Sequence, residues 1–329
     1  MPAHEAEELL KIERLTVAFS SLVRTVRAVR GCDLSIRRGE IMGLVGESGS
    51  GKTMLALAAL DLVPPPGRVG GSIRLDGHEI VGAPEAETRK LRGRVAATIF
   101  QNPGKACNPF FTLGRQLTDV IRNARDCGRS EAWQVALDAF ASVRIADPEL
   151  ALRKFPHQLS GGQLQRAMIA MALACEPKLL IADEPTTALD VTIRGQIILL
   201  LRDLARQRGL TVLFITHDLS IVASLCDRVT VMYAGRIVET GPVETVFSGP
   251  AHPYTASLLR AVPALGRGRA PLVQIPGSVP NMAAPPSGCA FHPRCAFADA
   301  DCAAQDPAMR AIGVDRAVAC HHPQSTMAP

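Results

Sequence analysis

The stretch Gly46-Glu47-Ser48-Gly49-Ser50-Gly51-Lys52-Thr53 fits the pattern G-x-x-x-x-G-K-[ST] without a mismatch. Ile41-Met42-Gly43-Leu44-Val45 before it is a short apolar run that reads as a buried strand, and the helix-forming Met54–Leu60 follows it. Strand, glycine turn and helix start commit this part of the chain to α/β architecture. Gly46, Gly49 and Gly51 let the backbone bend so that N–H groups, including those of Ser48 and Ser50, converge on phosphate oxygens. The helix N-terminus adds its positive dipole end. Lys52 supplies a point charge for β/γ-phosphates, and the Thr53 hydroxyl suits Mg²⁺. A chance Gly/Ser turn would leave the same letters without this setting; the setting favours nucleotide.

Other apolar runs deliver polar residues at their ends. Val95–Phe100 reads as a strand ending at Gln101, where ligands of a parallel sheet bind, although a lone Gln there means little. Leu179-Leu180-Ile181-Ala182 delivers Asp183 and Glu184. Asp183 suits Mg²⁺, and Glu184 suits polarising an attacking water. Leu210–Thr216 ends at His217, where a neutral imidazole can contact a γ-phosphate. Upstream, Leu15, Val17 and Phe19 alternate with polar or small neighbours. Phe19 is either strand core or a stacking surface for a purine base.

Residues 111–176 change to helical periodicity and contain Leu159-Ser160-Gly161-Gly162-Gln163, a turn opening a strong helix. That is a second anion-binding helix end in one chain, so one of the two is expected to serve a neighbouring molecule. Ser160 as an ordinary N-cap is the plain alternative. A helix is expected over 195–208, a terminal hairpin around Tyr233-Ala234-Gly235, and a short helix from His252-Pro253-Tyr254 to Ala261. Pro263, Pro271, Pro276, Pro280, Pro285 and Pro286 then preclude long helices.

The bulk numbers exclude several classes. The 329 residues are 47% hydrophobic and 20% charged, with a net charge of +5 that gives no argument for nucleic acid. No apolar run approaches the ~18 residues of a spanning helix. Met1–Leu10 is acidic and lacks the regions of a signal peptide, so a cytoplasmic location is expected, with the nine cysteines reduced.

Taken together these residues resemble the ATP-binding cassette (ABC) superfamily over residues 10–240. Gly46–Thr53 matches its Walker A motif, Gln101 its Q-loop, Leu159–Gln163 its LSGGQ signature and Leu179–Asp183 its Walker B strand. Glu184 matches its catalytic carboxylate, Ala188-Leu189-Asp190 its D-loop and His217 its switch histidine. Phe19 falls where the family keeps an adenine-stacking aromatic. A closer resemblance, to ATPase subunits of bacterial dipeptide/oligopeptide and nickel importers, covers nearly the whole chain. It rests on Phe155-Pro156-His157-Gln158, Ala182–Thr192, His252-Pro253-Tyr254-Thr255 and Gly288-Cys289-Ala290-Phe291-His292-Pro293-Arg294-Cys295. The segment Asn102–Pro109 departs from the acidic, Ser-Leu-Asn-Pro stretch of those importers, and the family keeps its permease contact there.

The resemblance implies a P-loop NTPase (RecA-like) α/β core with a mostly parallel sheet, an antiparallel β subdomain and an inserted helical subdomain. Residues 1–101 and 177–240 form the core, 102–176 the helical part and 241–329 an importer-type extension with a small loop-rich, cysteine-containing tail. It implies an ATPase working as a pair. Lys52, Thr53, Gln101 and Asp183 are expected around MgATP, with Ser160, Gly161, Gly162, Gln163 and Asp190 meeting a facing ATP-binding subunit, a related rather than identical one. It also implies two transmembrane permease subunits, a periplasmic solute-binding protein and residence on the cytoplasmic face of the membrane. A soluble ABC ATPase that remodels nucleic acid or assembles iron–sulfur clusters is the rival; no coiled-coil insertion, second cassette or basic stripe supports it.

Cys289, Cys295, Cys302 and Cys320 crowd the tail, while Cys32, Cys107, Cys127, Cys175 and Cys226 are scattered. The spacing matches neither a zinc ribbon nor a ferredoxin run, so the residues support a four-thiolate metal site without naming the metal. The importer resemblance implies a [4Fe–4S] cluster. Zinc, with His292, His321 or His322 as spare ligands, and plain reduced thiols stay open.

Overall fold

The computed structural model describes residues 7–21, 24–187, 189–261 and 275–324. Strand β1 (Glu8–Ser20) pairs antiparallel with β2 (Thr25–Arg37), burying Leu10, Ile12, Leu15 and Val17 on one face. Next, β3 (Ile41–Val45), buried at every residue, runs into the glycine loop and helix α1 (Lys52–Ala59). Strands β4 (Gly67–Leu75) and β5 (His78–Glu79) complete an antiparallel sheet of order β2-β1-β4-β5. The polar stretch beyond it contains an unanticipated helix, α2 (Glu85–Leu91). Its order comes from charge, with Glu85 and Glu87 in the first turn and Arg89 and Lys90 in the last, rather than from apolar spacing.

After β6 (Ala96–Ile99) the chain is helical: α3 (Pro103–Ala106), α4 (Leu113–Arg125), α5 (Arg129–Ser142), α6 (Pro148–Arg153) and α7 (Gly161–Leu173). It returns to the sheet through β7 (Leu179–Asp183), α8 (Val191–Arg208), β8 (Thr211–Thr216), α9 (Leu219–Leu225), β9 (Arg228–Tyr233) and β10 (Arg236–Pro242). Helix α8 starts at Val191 rather than at the expected Gly195, because the Asp190 side chain caps it by accepting from Ile193 N at 2.9 Å.

The short helix expected from His252 to Ala261 is α11 (Pro253–Ala261), and an unforeseen helix, α10 (Val243–Ser248), precedes it. Pro263 and Pro271 lie outside the described residues, and no helix occurs over 275–288. Helix α12 (Ala300–Ala304) and strands β11 (Arg310–Gly313) and β12 (Arg316–Val318) follow. The hairpin β9–β10 is therefore not terminal. The eight-stranded sheet runs β11-β12-β10-β9-β3-β8-β7-β6, parallel from β9 to β6 and antiparallel at the β10 side. Strands this short carry no readable alternation, and the partner of β12 is an edge far back in the chain.

Alternation along the parallel strands divides the core. Met42, Leu44, Leu179, Ile181, Leu213 and Ile215 pack toward α1 and the antiparallel sheet, whereas Ile41, Leu180, Ala182, Val212 and Phe214 pack toward the helical region. A third cluster joins β9 and β10 to the tail through Tyr233, Tyr254 and Phe291, with ring centroids 4.5–5.3 Å apart. Glu239 on β10, with 0% exposure, locks this junction. Its carboxylate accepts from Arg316 (3.0 Å) and from the backbone N–H groups of Ala251 and His252 (2.9 Å each).

Candidate active site and cysteine-lined cavity

Strands β3, β8 and β7 are neighbours, so their carboxyl ends present the glycine loop, His217 and the Asp183-Glu184 pair side by side; β6 adds Gln101 next to β7. The loop is wedged between two walls. Gly46 (φ 155°) and Gly51 (φ 102°) take left-handed backbone, and a Cβ on either would run into the carbonyl of Met232 or Ala28. Lys52 is only 6% exposed and its ammonium donates to Gly46 O (2.8 Å), Glu47 O (2.9 Å) and Ser50 Oγ (3.3 Å). Burial lowers its pKa, against the pull of Glu184, Asp183 and Glu47.

Glu184 occupies the centre of the opposing wall at φ 45°, a strained value for a non-glycine residue. Its Oε2 accepts from Gln101 Nε2 (2.8 Å) and Thr187 Oγ1 (2.9 Å), and Oε1 lies 3.2 Å from His217 Nδ1. Burial pushes this carboxyl up, but the bonds from His217 and Thr187 outweigh it and hold the pKa below its ordinary value. Asp183, one residue earlier, shifts the other way: burial raises it, a hydrogen bond from Thr53 offsets part of that, and the Glu184 charge adds to the rise. The donor set of Asp183 at the end of β7 and Thr53 in the first turn of α1, with an underneutralised carboxylate, fits a hard divalent cation.

All three residues expected at the reacting end, Glu184, His217 and Gln101, are thus in direct contact. Thr187 joins them unforeseen; a hydroxyl three residues past a carboxylate is too common a pairing to notice in a sequence. Phe19, half-buried, stands across from Val26 on β2, and a Cβ built on Gly67 would meet its ring at 2.8 Å. The second helix end is built differently. Ser160 Oγ accepts from Gln163 N (3.3 Å) and Gln163 Oε1 accepts from Ser160 N (3.1 Å), a reciprocal capping box. Ser160 and Gly161 are exposed and Gly162 is half-buried, and among the described residues no hydrogen bond or ion pair ties Ser160–Gln163 to the glycine loop. A Cβ on Gly162 would press on Ile193 at 3.0 Å, so the turn rests on the start of α8, where Asp190 is the cap.

Cys289, Cys295, Cys302 and Cys320 line one cavity together with His252, His292, His321 and His322. All are free thiols, as are the scattered five. Burial raises the pKa of each of the four, that of Cys320 to about 11, which favours their protonated form. Among the described residues one set of three ligand atoms lies within 4.8 Å of one another: Asp299, Cys302 and His322. Asp299 is already engaged, capping α12 through Cys302 N (2.9 Å) and pairing with His322 (2.6 Å). His252 is 1% exposed; its Nδ1 accepts from Tyr254 N (3.0 Å), which places the ring proton on Nε2, and that buried donor has no partner.

Residues 29–187 match the family model described as ABC transporter, and 238–302 the one described as oligopeptide/dipeptide transporter, C-terminal region. The dipeptide transport ATP-binding protein DppD of Escherichia coli is 44% identical, over 96% of this chain and 97% of its own. The chain belongs to the ABC transporter family of ATP-binding proteins. It is an ABC-type ATPase. The probable peptide ABC transporter ATP-binding protein y4tR of Sinorhizobium fredii is 46% identical over 96% of this chain and 95% of its own. The oligopeptide transport ATP-binding protein OppD of Escherichia coli is 44% identical over 92% and 90%. Among solved structures, the dimeric post-hydrolysis state of an ATP-binding cassette bound to ADP and Pi aligns with a TM-score of 0.64 at 27% identity, covering 71% of this cassette and 98% of that chain. No described helix of the cassette is long and apolar enough to cross a membrane.

Proposed function

We propose that the cassette hydrolyses ATP to drive uptake of dipeptides or oligopeptides, as the ATP-binding subunit of a bacterial importer on the cytoplasmic face of the inner membrane. The observation that carries the reaction is the convergence of Gln101, Thr187 and His217 on Glu184, facing Lys52 and Asp183. Residues 1–101 and 177–240 act as the nucleotide-binding core, 102–176 as the helical unit and 241–329 as the extension. Gly46, Ser48, Gly49, Ser50 and Gly51 present N–H groups to the phosphates, Lys52 adds its charge, and Phe19 stacks on the adenine. Thr53 and Asp183, with Gln101 at the rim, hold Mg²⁺, which supplies charge neutralisation at the phosphate oxygens. Glu184, kept ionised by its donors, orients the attacking water, and His217 and Gln101 report the γ-phosphate to it.

The exposed signature turn supports a composite site. Ser160, Gly161, Gly162 and Gln163 of a facing ATP-binding subunit close over the phosphates, and Asp190 sits at that junction. Two permease subunits dock on the helical unit, where Phe110 is 83% exposed, and an extracellular solute-binding protein delivers the peptide. Identity with DppD and OppD across nearly the whole chain supports the peptide reading. The test is peptide-stimulated ATPase and uptake in vesicles carrying the reconstituted assembly; basal turnover indifferent to every peptide would overturn it.

Cys289, Cys295, Cys302 and Cys320 are proposed to hold a [4Fe–4S] cluster, which would supply a rigid cross-link within the tail. A single zinc with bonds of about 2.3 Å draws its sulfurs to within about 3.8 Å. No three of these sulfurs lie within 4.8 Å of one another, which favours a larger occupant. The unpartnered Nε2–H of His252 matches an acceptor in the cavity. Anaerobic purification, visible absorption and iron and sulfide assays test this; colourless, iron-free protein would reject it.

A further inference from the structure

The cysteine-lined loop reaches the nucleotide site through one side chain. Arg294 lies between Cys289 and Cys295 in sequence, at the end of a turn in which His292 N donates to Cys289 O (2.9 Å) and Cys295 N to His292 O (3.2 Å). Its side chain is 4% exposed. Its guanidinium grips the Glu47 carboxylate with both arms, at 2.8 and 3.1 Å. Three further bonds fix the fork itself, Nε to Pro276 O (2.7 Å), NH1 to the Tyr233 hydroxyl (3.2 Å) and NH2 to Ile275 O (3.5 Å). Glu47 is the second residue of the phosphate loop. Its N–H donates to the Tyr254 hydroxyl (2.9 Å), and its carbonyl is one of the acceptors holding Lys52. The tail therefore fixes Glu47 through side chain and backbone together.

We propose that Arg294 is a positioning residue for the phosphate loop, and that through it the cysteine-bearing loop sets the affinity of the cassette for nucleotide. The physical case is one of preorganisation. A loop whose N–H groups must converge on phosphate loses affinity when its backbone wanders; Lys52 and Ser50 hold Glu47 only at its carbonyl, and its N–H and carboxylate are held from the tail. A bidentate, largely desolvated pair is geometrically specific, so Lys cannot replace Arg there. Removing Glu47 leaves the buried Arg294 without its carboxylate, and removing Arg294 leaves the half-buried Glu47 carboxylate without its cation. Anything that shifts Cys289 or Cys295 moves Arg294, and with it Glu47.

The inference rests on the loop being the nucleotide site, so Lys52→Ala is measured first. Full-length protein is titrated with MgADP, and ATP turnover gives KM and kcat separately. Loss of MgADP binding in Lys52→Ala upholds the site; retained binding would remove that reading independently of Arg294. Arg294→Met, Arg294→Lys and Glu47→Gln are each expected to weaken MgADP binding by about fivefold or more, with KM rising more than kcat falls, and the Arg294→Met/Glu47→Gln double variant is expected to be no weaker than the singles. Cys295→Ser should weaken MgADP binding in the parent and have no further effect in the Glu47→Gln background. Parental affinity in Arg294→Lys and Glu47→Gln, additive losses in the double variant, or a Cys295→Ser effect undiminished by Glu47→Gln would overturn the proposal. If Arg294→Met fails to fold, Arg294→Lys and Glu47→Gln, judged beside their melting curves, decide it.

Discussion

The two helix ends that can meet phosphate make opposite use of the same chemistry. The N-terminus of α1 is enclosed: Lys52 is buried, Gly51 touches the antiparallel sheet, and Glu47 is gripped from the tail. The N-terminus of α7 satisfies its own donors through the Ser160–Gln163 box and stays open to solvent. Free N–H groups at both ends would attract the same ligand twice. Instead one end is a finished half-site and the other a presentation surface, the division expected of a molecule that completes its hydrolytic pocket with a neighbour.

The largest test of this contrast is Glu184→Gln. Turnover should fall by about 10²–10⁴-fold in phosphate-release assays while nucleotide binding persists, since the enclosed half keeps its loop and Lys52. Full turnover would show that the converging donors serve another group. At the open end, Ser160→Arg should cost about 10²-fold in hydrolysis by the assembled importer yet leave equilibrium nucleotide binding by the isolated chain intact. Equal loss in both assays would erase the division.

The adjacent carboxylates at the enclosed end give smaller effects of opposite sign. Glu184 is held below its ordinary value of 4.5, so its stabilisation is present above pH 4.5 and vanishes as pH falls through the lower native value. Melting curves should therefore fall off below pH 4.5 in the parent and less steeply in Glu184→Gln. Asp183 is raised from 3.8, so its charge opposes folding at neutral pH and ceases to do so in acid. Asp183→Asn should raise the neutral-pH melting temperature of nucleotide-free protein by about 2–4 °C, for a gain of about 1 kcal/mol, while abolishing hydrolysis. A lowered melting temperature would mean that Asp183 is satisfied without a cation.

Much of the active site was legible because parallel strands are read as apolar runs and their carboxyl ends are where polar residues gather. Gln101, Asp183, Glu184 and His217 each follow such a run, and the structure sets them at the ends of three adjoining strands, β6, β7 and β8. The helix α2 was missed because charges at its ends, not apolar periodicity, define it. Strands β11 and β12 were missed because nothing local in three or four residues announces pairing with β10. Arg294 stands within the Gly288–Cys295 stretch, but nothing local points to its partner, since Glu47 lies at the other end of the chain.

Sequence alone determined the phosphate loop, the order of the strand ends that form the candidate site and the family, because those depend on spacing within single strand–turn units. Tertiary structure decided what those units touch. The orientation of Gln101, Thr187 and His217 toward one carboxylate, the gathering of four cysteines around one cavity and the grip of Arg294 on Glu47 all arise between segments remote in the chain. Such contacts form only when burial of the sheet and the aromatic junction fixes their geometry, and no local pattern encodes them.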